Sequence, residues 1–150
     1  MDRLLVAAAF VVVAVGVALV LRRRRPDPPT QPTWSVPAQL DRQDFARPDA
    51  PWLVVLFTSS TCGSCADLIA KAVALESEAV AVHDVEFVAC RDLHERYAID
   101  AVPTVVIADA DGVVQGSFVG PVTAADLWAT VAELREPGST PPGCDHGQPA

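Results

Sequence analysis

Cys62 and Cys65, separated by Gly63 and Ser64, are the residues of this chain whose type and spacing best suit chemistry. Two thiols three apart can close into a disulfide and reopen, which lets them exchange disulfides with a partner. The same spacing is also half of a zinc site, for which Cys144 and His146 offer a second pair of ligands. The surrounding pattern favours the redox reading. Residues 52–57 are a continuous apolar run of the kind that forms a buried central strand, followed by Thr58, Ser59, Ser60 and Thr61. From Cys62 onward the period changes: Leu68, Ile69, Ala72, Val73 and Leu75 or Glu76 recur at three and four, which predicts a helix with one apolar face. Cys62 is then expected at or near a helix N-terminus, where unpaired N–H groups and the helix dipole stabilise a thiolate. Its pKa should fall below the free value of about 8.5. Cys65, three residues on and turned inward, is placed to attack a mixed disulfide formed on Cys62.

The elements that must hold this pair can be followed along the chain. Residues 40–45 suggest a helical turn before Pro48, and residues 85–88 a second strand. Residues 92–97 suggest a short helix with Leu93 and Tyr97 as its buried pair. Strands are expected at 105–108 and 113–118, with Asp111-Gly112 as a strong hairpin signal between them. A helix at 124–134 closes the domain, with Leu127, Trp128, Val131 and Leu134 on one stripe. Trp52, Phe118 and Trp128 are assigned to the core. The order β, α, β, α, β, β, α predicts an α/β fold with a mixed central sheet and helices on both faces.

Three stretches together resemble the thioredoxin family: Phe57-Thr58-Ser59-Ser60-Thr61-Cys62-Gly63-Ser64-Cys65, then Tyr97-Ala98-Ile99-Asp100-Ala101-Val102-Pro103-Thr104, then Gly112 and Gly120 ahead of the last helix. The resemblance covers residues 34–135, about two thirds of the chain, in the family's order. It implies a thioredoxin-like fold in which Val102-Pro103 is a cis peptide beside the disulfide. It also implies that the Val102 backbone pairs with an extended substrate chain, and that Gly63, Ser64 and Gly120 line the same groove. Two departures stand out. Thr61 and Ser64 occupy positions where thioredoxins usually carry Trp and Pro, and Leu56 stands where they bury an Asp that takes a proton from the inner thiol. Without that carboxylate, Cys65 is expected to deprotonate less readily.

The rest of the chain concerns attachment. Residues 4–21 are uninterrupted Leu, Val, Ala and Phe with one Gly, and as a helix they would span roughly 27 Å, enough to cross a bilayer. Arg22, Arg23, Arg24 and Arg25 follow directly, where a cleavable signal would need small residues, so residues 1–25 are read as a transmembrane anchor with a basic flank. By the positive-inside tendency the domain is expected on the cytoplasmic side, with the extracytoplasmic side as the alternative. Residues 26–33 are a Pro-rich linker, suited to an extended spacer or to disorder. Residues 34–135 form the domain, and residues 136–150, rich in Pro and Gly, a flexible tail.

Of the 11 basic side chains, Arg3 and the four arginines at 22–25 precede the linker, leaving six against 18 acidic ones from residue 26 onward. So acidic a body, with no basic stripe, argues against nucleic-acid binding. There is no phosphate-binding loop or dinucleotide fingerprint. Cys90 is expected to be a packing thiol, Cys144 an idle thiol in the tail, and His83 and His94 solvated side chains. The expected function is that of a membrane-anchored thiol–disulfide oxidoreductase reducing protein disulfides, with an external thiol as electron donor. It needs no cofactor beyond its own dithiol and no metal. A dithiol oxidase, or an adaptor or zinc-holding module on the same fold, are the alternatives.

Overall fold

The apolar run after Pro51 forms the central strand β1, Trp52–Thr58, with every residue but the first buried. The computed structural model describes residues 34–139, which belong to a unit beginning at Trp34. After β1 come α1 (Cys65–Val73), β2 (Val80–Glu86), α2 (Arg91–Arg96), β3 (Thr104–Ala108), β4 (Val114–Val119) and α3 (Ala124–Arg135). The sheet order is β2-β1-β3-β4, with β1 parallel to β2 and antiparallel to β3, and β3 antiparallel to β4. This is the mixed sheet that the element order predicted.

Side chains alternate across the strands, so the sheet buries two separate cores. On one side Val54, Leu56, Val105 and Ile107 pack under Leu68 and Ala72 of α1 and Leu127 and Val131 of α3. On the other, Leu53, Val55, Phe57 and Val106 meet Leu40, Phe45 and Tyr97. This second side is richer in rings: Phe57 and Phe87 each set an edge against His94, and Phe45 lies beside Tyr97 and His83.

The chain enters through a 3-10 turn, Arg42–Asp44, capped by Asp41, whose carboxylate accepts from the Gln43 N–H. Here the buried Arg42 guanidinium donates to the carbonyls of Asp109 (2.8 Å), Ala50 (2.7 Å) and Arg47 (3.3 Å). Arg47 in turn donates to the carbonyls of Glu78 and Val80, beside the outer edge of β2. The hairpin between β3 and β4 closes at Gly112, whose φ is +80°. Asp109 Oδ1 accepts the N–H groups of Asp111 and Val113, which shapes that turn.

Four expectations need correcting. The second strand starts at Val80, five residues earlier than expected. The added residues include polar His83 and Asp84, which an edge strand tolerates. The first helix begins at Cys65, since residues 59–64 form a turn, and its buried stripe is Cys65, Leu68 and Ala72, with Val73 exposed. Trp128 is 44% exposed and lies over α1, donating its indole N–H to the Lys71 carbonyl. His94 is only 2% exposed, enclosed by the two phenyl rings and hydrogen-bonded to the Val85 carbonyl at 2.9 Å. Among the described residues no helix is long and apolar enough to cross a membrane. The anchor at 1–25, the linker at 26–33 and residues 140–150 of the tail lie outside the described residues.

Candidate functional site

β1 delivers the chain to one end of the sheet, and the turn after it carries the cysteines. Ser59 organises this turn: its carbonyl accepts the Cys62 N–H at 3.0 Å, and its hydroxyl accepts the Thr61 N–H at 3.3 Å. The Cys65 N–H then reaches the Cys62 carbonyl at 3.3 Å, and α1 starts. Cys62 and Cys65 are joined in a disulfide with their Cα atoms 5.5 Å apart. The two sulfurs differ in access. Cys62 is half-buried, whereas Cys65 is 2% exposed under the first turn of α1. The helix therefore begins three residues later than Cys62, so its dipole acts on that sulfur from about one turn away. Ser64 is the N-cap, makes no side-chain cap bond, and places its hydroxyl 3.6 Å from Cys62 Sγ. Gly63 is exposed with open space around its Cα.

The second part of the site comes from the loop ahead of β3. Thr104 pairs with Phe57 in the sheet, so this loop and the cysteine turn leave neighbouring strands at the same end. The Val102-Pro103 peptide is cis, as the resemblance implied. Val102 is 37% exposed, and Pro103 is buried. Gly120, just past β4, donates its N–H to the Pro103 carbonyl at 2.7 Å. Its φ is +94°, and a Cβ added there would meet nothing within 4 Å. Gly120 thus borders open space next to the cis proline.

Two carboxylates that sequence reasoning did not single out sit at the same end of β2. Glu86 accepts the Ser60 N–H at 3.0 Å on one oxygen and the Val88 and Ala89 N–H groups at 2.8 and 2.9 Å on the other. It ties the cysteine turn to the loop after β2, and the backbone donors, Ala89 first and Ser60 next, hold its carboxyl below the ordinary range. Asp84 accepts a 2.7 Å hydrogen bond from the hydroxyl of Thr58, which is 1% exposed. The signal for both was their place late in the strand that follows the cysteine helix, which was legible only once β2 was known to start at Val80.

The remaining cysteines divide. Cys90 is a free thiol at the start of α2, half-buried against the ring-rich core, in keeping with a packing role. Cys144 and His146 lie outside the described residues. Among the described residues no group of three or more His, Cys, Asp or Glu is placed to hold a metal ion.

Comparison with known proteins agrees with this geometry. The thioredoxin family model matches residues 39–133. No curated protein matches the chain. Among solved structures, the germline-specific thioredoxin Deadhead of Drosophila melanogaster is 24% identical with a TM-score of 0.51, over 58% of this chain and 84% of its own. A mutant thioredoxin of Halobacterium salinarum is 21% identical with a TM-score of 0.52, over 71% of this chain and 95% of its own. The thioredoxin of Fasciola hepatica is 26% identical with a TM-score of 0.50, over 57% and 83%. With a match over more than half its length, and a Cys62–Cys65 disulfide where a central strand hands over to a helix, the chain belongs to the thioredoxin family and has the makings of a thiol–disulfide oxidoreductase.

Proposed function

We propose that this protein reduces disulfides of protein substrates while tethered to a membrane by residues 4–21. The observation that carries the reading is the unequal access of the two sulfurs: half-buried Cys62 can meet a partner, and 2% exposed Cys65 cannot. As a thiolate, Cys62 attacks one sulfur of a substrate disulfide, and the other substrate sulfur leaves as a thiolate. Cys65 then attacks Cys62 Sγ, releasing the reduced substrate and restoring the Cys62–Cys65 bond. A thiol donor reduces that bond for the next cycle, and no further cofactor is needed. Exposed Val102 offers its backbone to an extended substrate segment, in the manner of strand addition. Gly63, Ser64 and Gly120 leave the approach unobstructed, and buried Pro103 fixes the loop.

The decisive measurement is the reduction potential of the Cys62–Cys65 couple in the full chain, equilibrated in glutathione buffers and read by alkylation mass shift. A reductase should lie near about −270 mV, whereas a value near about −120 mV would make the protein a dithiol oxidase instead. The charge of the four arginines after the tether favours a domain on the cytoplasmic face. Labelling of reduced Cys62 by a membrane-impermeant maleimide on intact cells would overturn that orientation.

A further inference from the structure

To attack a disulfide, Cys62 must carry a negative charge, and the fold gives that charge little help from a distance. The helix α1 starts at Cys65, a turn beyond the sulfur, and a helix dipole falls off over such a span. The cations of α1 and α2 are engaged elsewhere. Lys71 is paired with Asp67 and donates to the Val122 carbonyl, Arg91 lies over the Phe87 ring at 4.8 Å, and Arg96 bonds Asp41 and Asp44. Of the carboxylates on the elements around the turn, Glu86 accepts three backbone N–H groups, Asp84 the Thr58 hydroxyl and Asp126 the Thr123 hydroxyl, while Asp92 and Asp100 are exposed. What touches Cys62 Sγ is a hydroxyl: Ser64 Oγ lies 3.6 Å away. A disulfide sulfur carries no proton, so the hydroxyl is the donor. Ser64 is the N-cap of α1, yet its φ of −97° and ψ of −8° are helical rather than extended, and its side chain makes no cap bond. The other hydroxyls of the turn are committed: Ser59 and Thr61 bond each other at 3.0 Å, and Ser60 is tied to Glu86 through its N–H. The turn itself is set by backbone bonds, from the Cys62 N–H to the Ser59 carbonyl, the Cys65 N–H to the Cys62 carbonyl and the Leu68 N–H to the Ser64 carbonyl. None of these bonds uses a sulfur, so opening the disulfide leaves Ser64 in place.

We propose that Ser64 is a catalytic residue whose hydroxyl donates a hydrogen bond to the Cys62 thiolate. This rests on the exchange reading above and names the donor on which its first step depends. A sulfur anion accepts such a bond more strongly than an uncharged sulfur does. The bond therefore stabilises the thiolate of Cys62 over its thiol, and the reduced protein over the oxidised one. The proline that thioredoxins usually carry at this position has no proton to give. In the attack, a lone pair of Cys62 Sγ forms the bond to one substrate sulfur, and the other substrate sulfur leaves with the electron pair of the broken bond. Ser64 keeps its proton throughout and returns to the weaker contact that it makes with an uncharged sulfur.

The test uses the full chain carrying Cys90→Ser and Cys144→Ser, reduced, so that only Cys62 and Cys65 titrate. Ser64→Thr keeps the hydroxyl, and Ser64→Val replaces it by a methyl group on the same branched frame. Thiolate absorbance followed against pH should show the first ionisation moved to higher pH in Ser64→Val, with about tenfold less thiolate on its acid side, and restored in Ser64→Thr. The second readout is mixing with dithiobis(nitrobenzoate), where attack by Cys62 releases one coloured thiolate and resolution by Cys65 a second. The first release in Ser64→Val should be roughly threefold slower at acid pH and roughly threefold faster at alkaline pH, because an unbonded thiolate is scarcer but more nucleophilic. A loss of packing would not produce that crossing. A parental titration in Ser64→Val overturns the proposal, as does a Ser64→Thr protein that behaves like Ser64→Val. A parent that gives no second release overturns the exchange reading instead, and the first release still decides the role of Ser64.

Discussion

The two ends of the sheet each turn on a glycine with positive φ, and their surroundings are opposite. At the hairpin end Gly112 has φ +80°, and a Cβ there would strike the Leu40 carbonyl. Around it the backbone is stapled by Arg42 to Asp109 and Ala50, and by Tyr97, whose hydroxyl donates to Asp44 and accepts the Asp41 N–H. At the redox end Gly120 has φ +94° with nothing within 4 Å. One end is filled by the chain's own atoms, and the other is left open beside the cis proline. The same backbone conformation is thus set by packing in one place and borders open space in the other.

Substitutions should separate these roles. Gly112→Ala should cost the most, about 2–4 kcal/mol, from the left-handed backbone together with the steric clash. Urea unfolding would show this, with thiol-release rates of the folded fraction unchanged; an unaltered midpoint would refute the packing argument. Gly120→Ala should cost about 1 kcal/mol, from the backbone alone. Its distinguishing effect should be on exchange: slower with a protein disulfide, yet unchanged with a small aromatic disulfide. Equal slowing of both would mean that the open space is not a docking groove.

Smallest at neutral pH is Tyr97→Phe, which tests the hairpin end by titration. Burial first, and the bond to Asp44 second, push the Tyr97 phenol up to about 12. The folded state thus favours the neutral phenol beyond its ordinary pKa of 10.0. The stability this contributes is fully present below about pH 10 and is lost as pH rises through about 12. The Phe variant should lack that alkaline loss, so its stability relative to the parent should rise between about pH 10 and about pH 12. A constant difference would rule out the linkage.

How much of this was legible beforehand follows from what local pattern encodes. The run at 52–57, the change of period after Cys62 and the Asp111-Gly112 turn are local signals, and they placed β1, the cysteine pair and the hairpin. The cis Val102-Pro103 came through the resemblance, since no local rule requires it. Burial decided by distant neighbours was not readable. His94 looked like a solvated side chain, yet Phe57 and Phe87 enclose it, and Trp128 fell on an apolar stripe, yet it rides over α1. The tie of Glu86 to the cysteine turn, and of Asp84 to Thr58 at the end of β1, depended on register, which only the pairing of β1 with β2 supplies.

Arg47 carries a consequence for life at high concentration. β2 is one of the two outer strands of the sheet, and an uncovered outer strand is a template on which a second molecule can add itself and begin to aggregate. The Arg47 guanidinium occupies the carbonyls of Glu78 and Val80, at the start of that margin. Farther along, His83 takes the Ala46 N–H, and Asp84 brings charge. Arg47, His83 and Asp84 thus guard this margin of the sheet against pairing with a second copy of the chain.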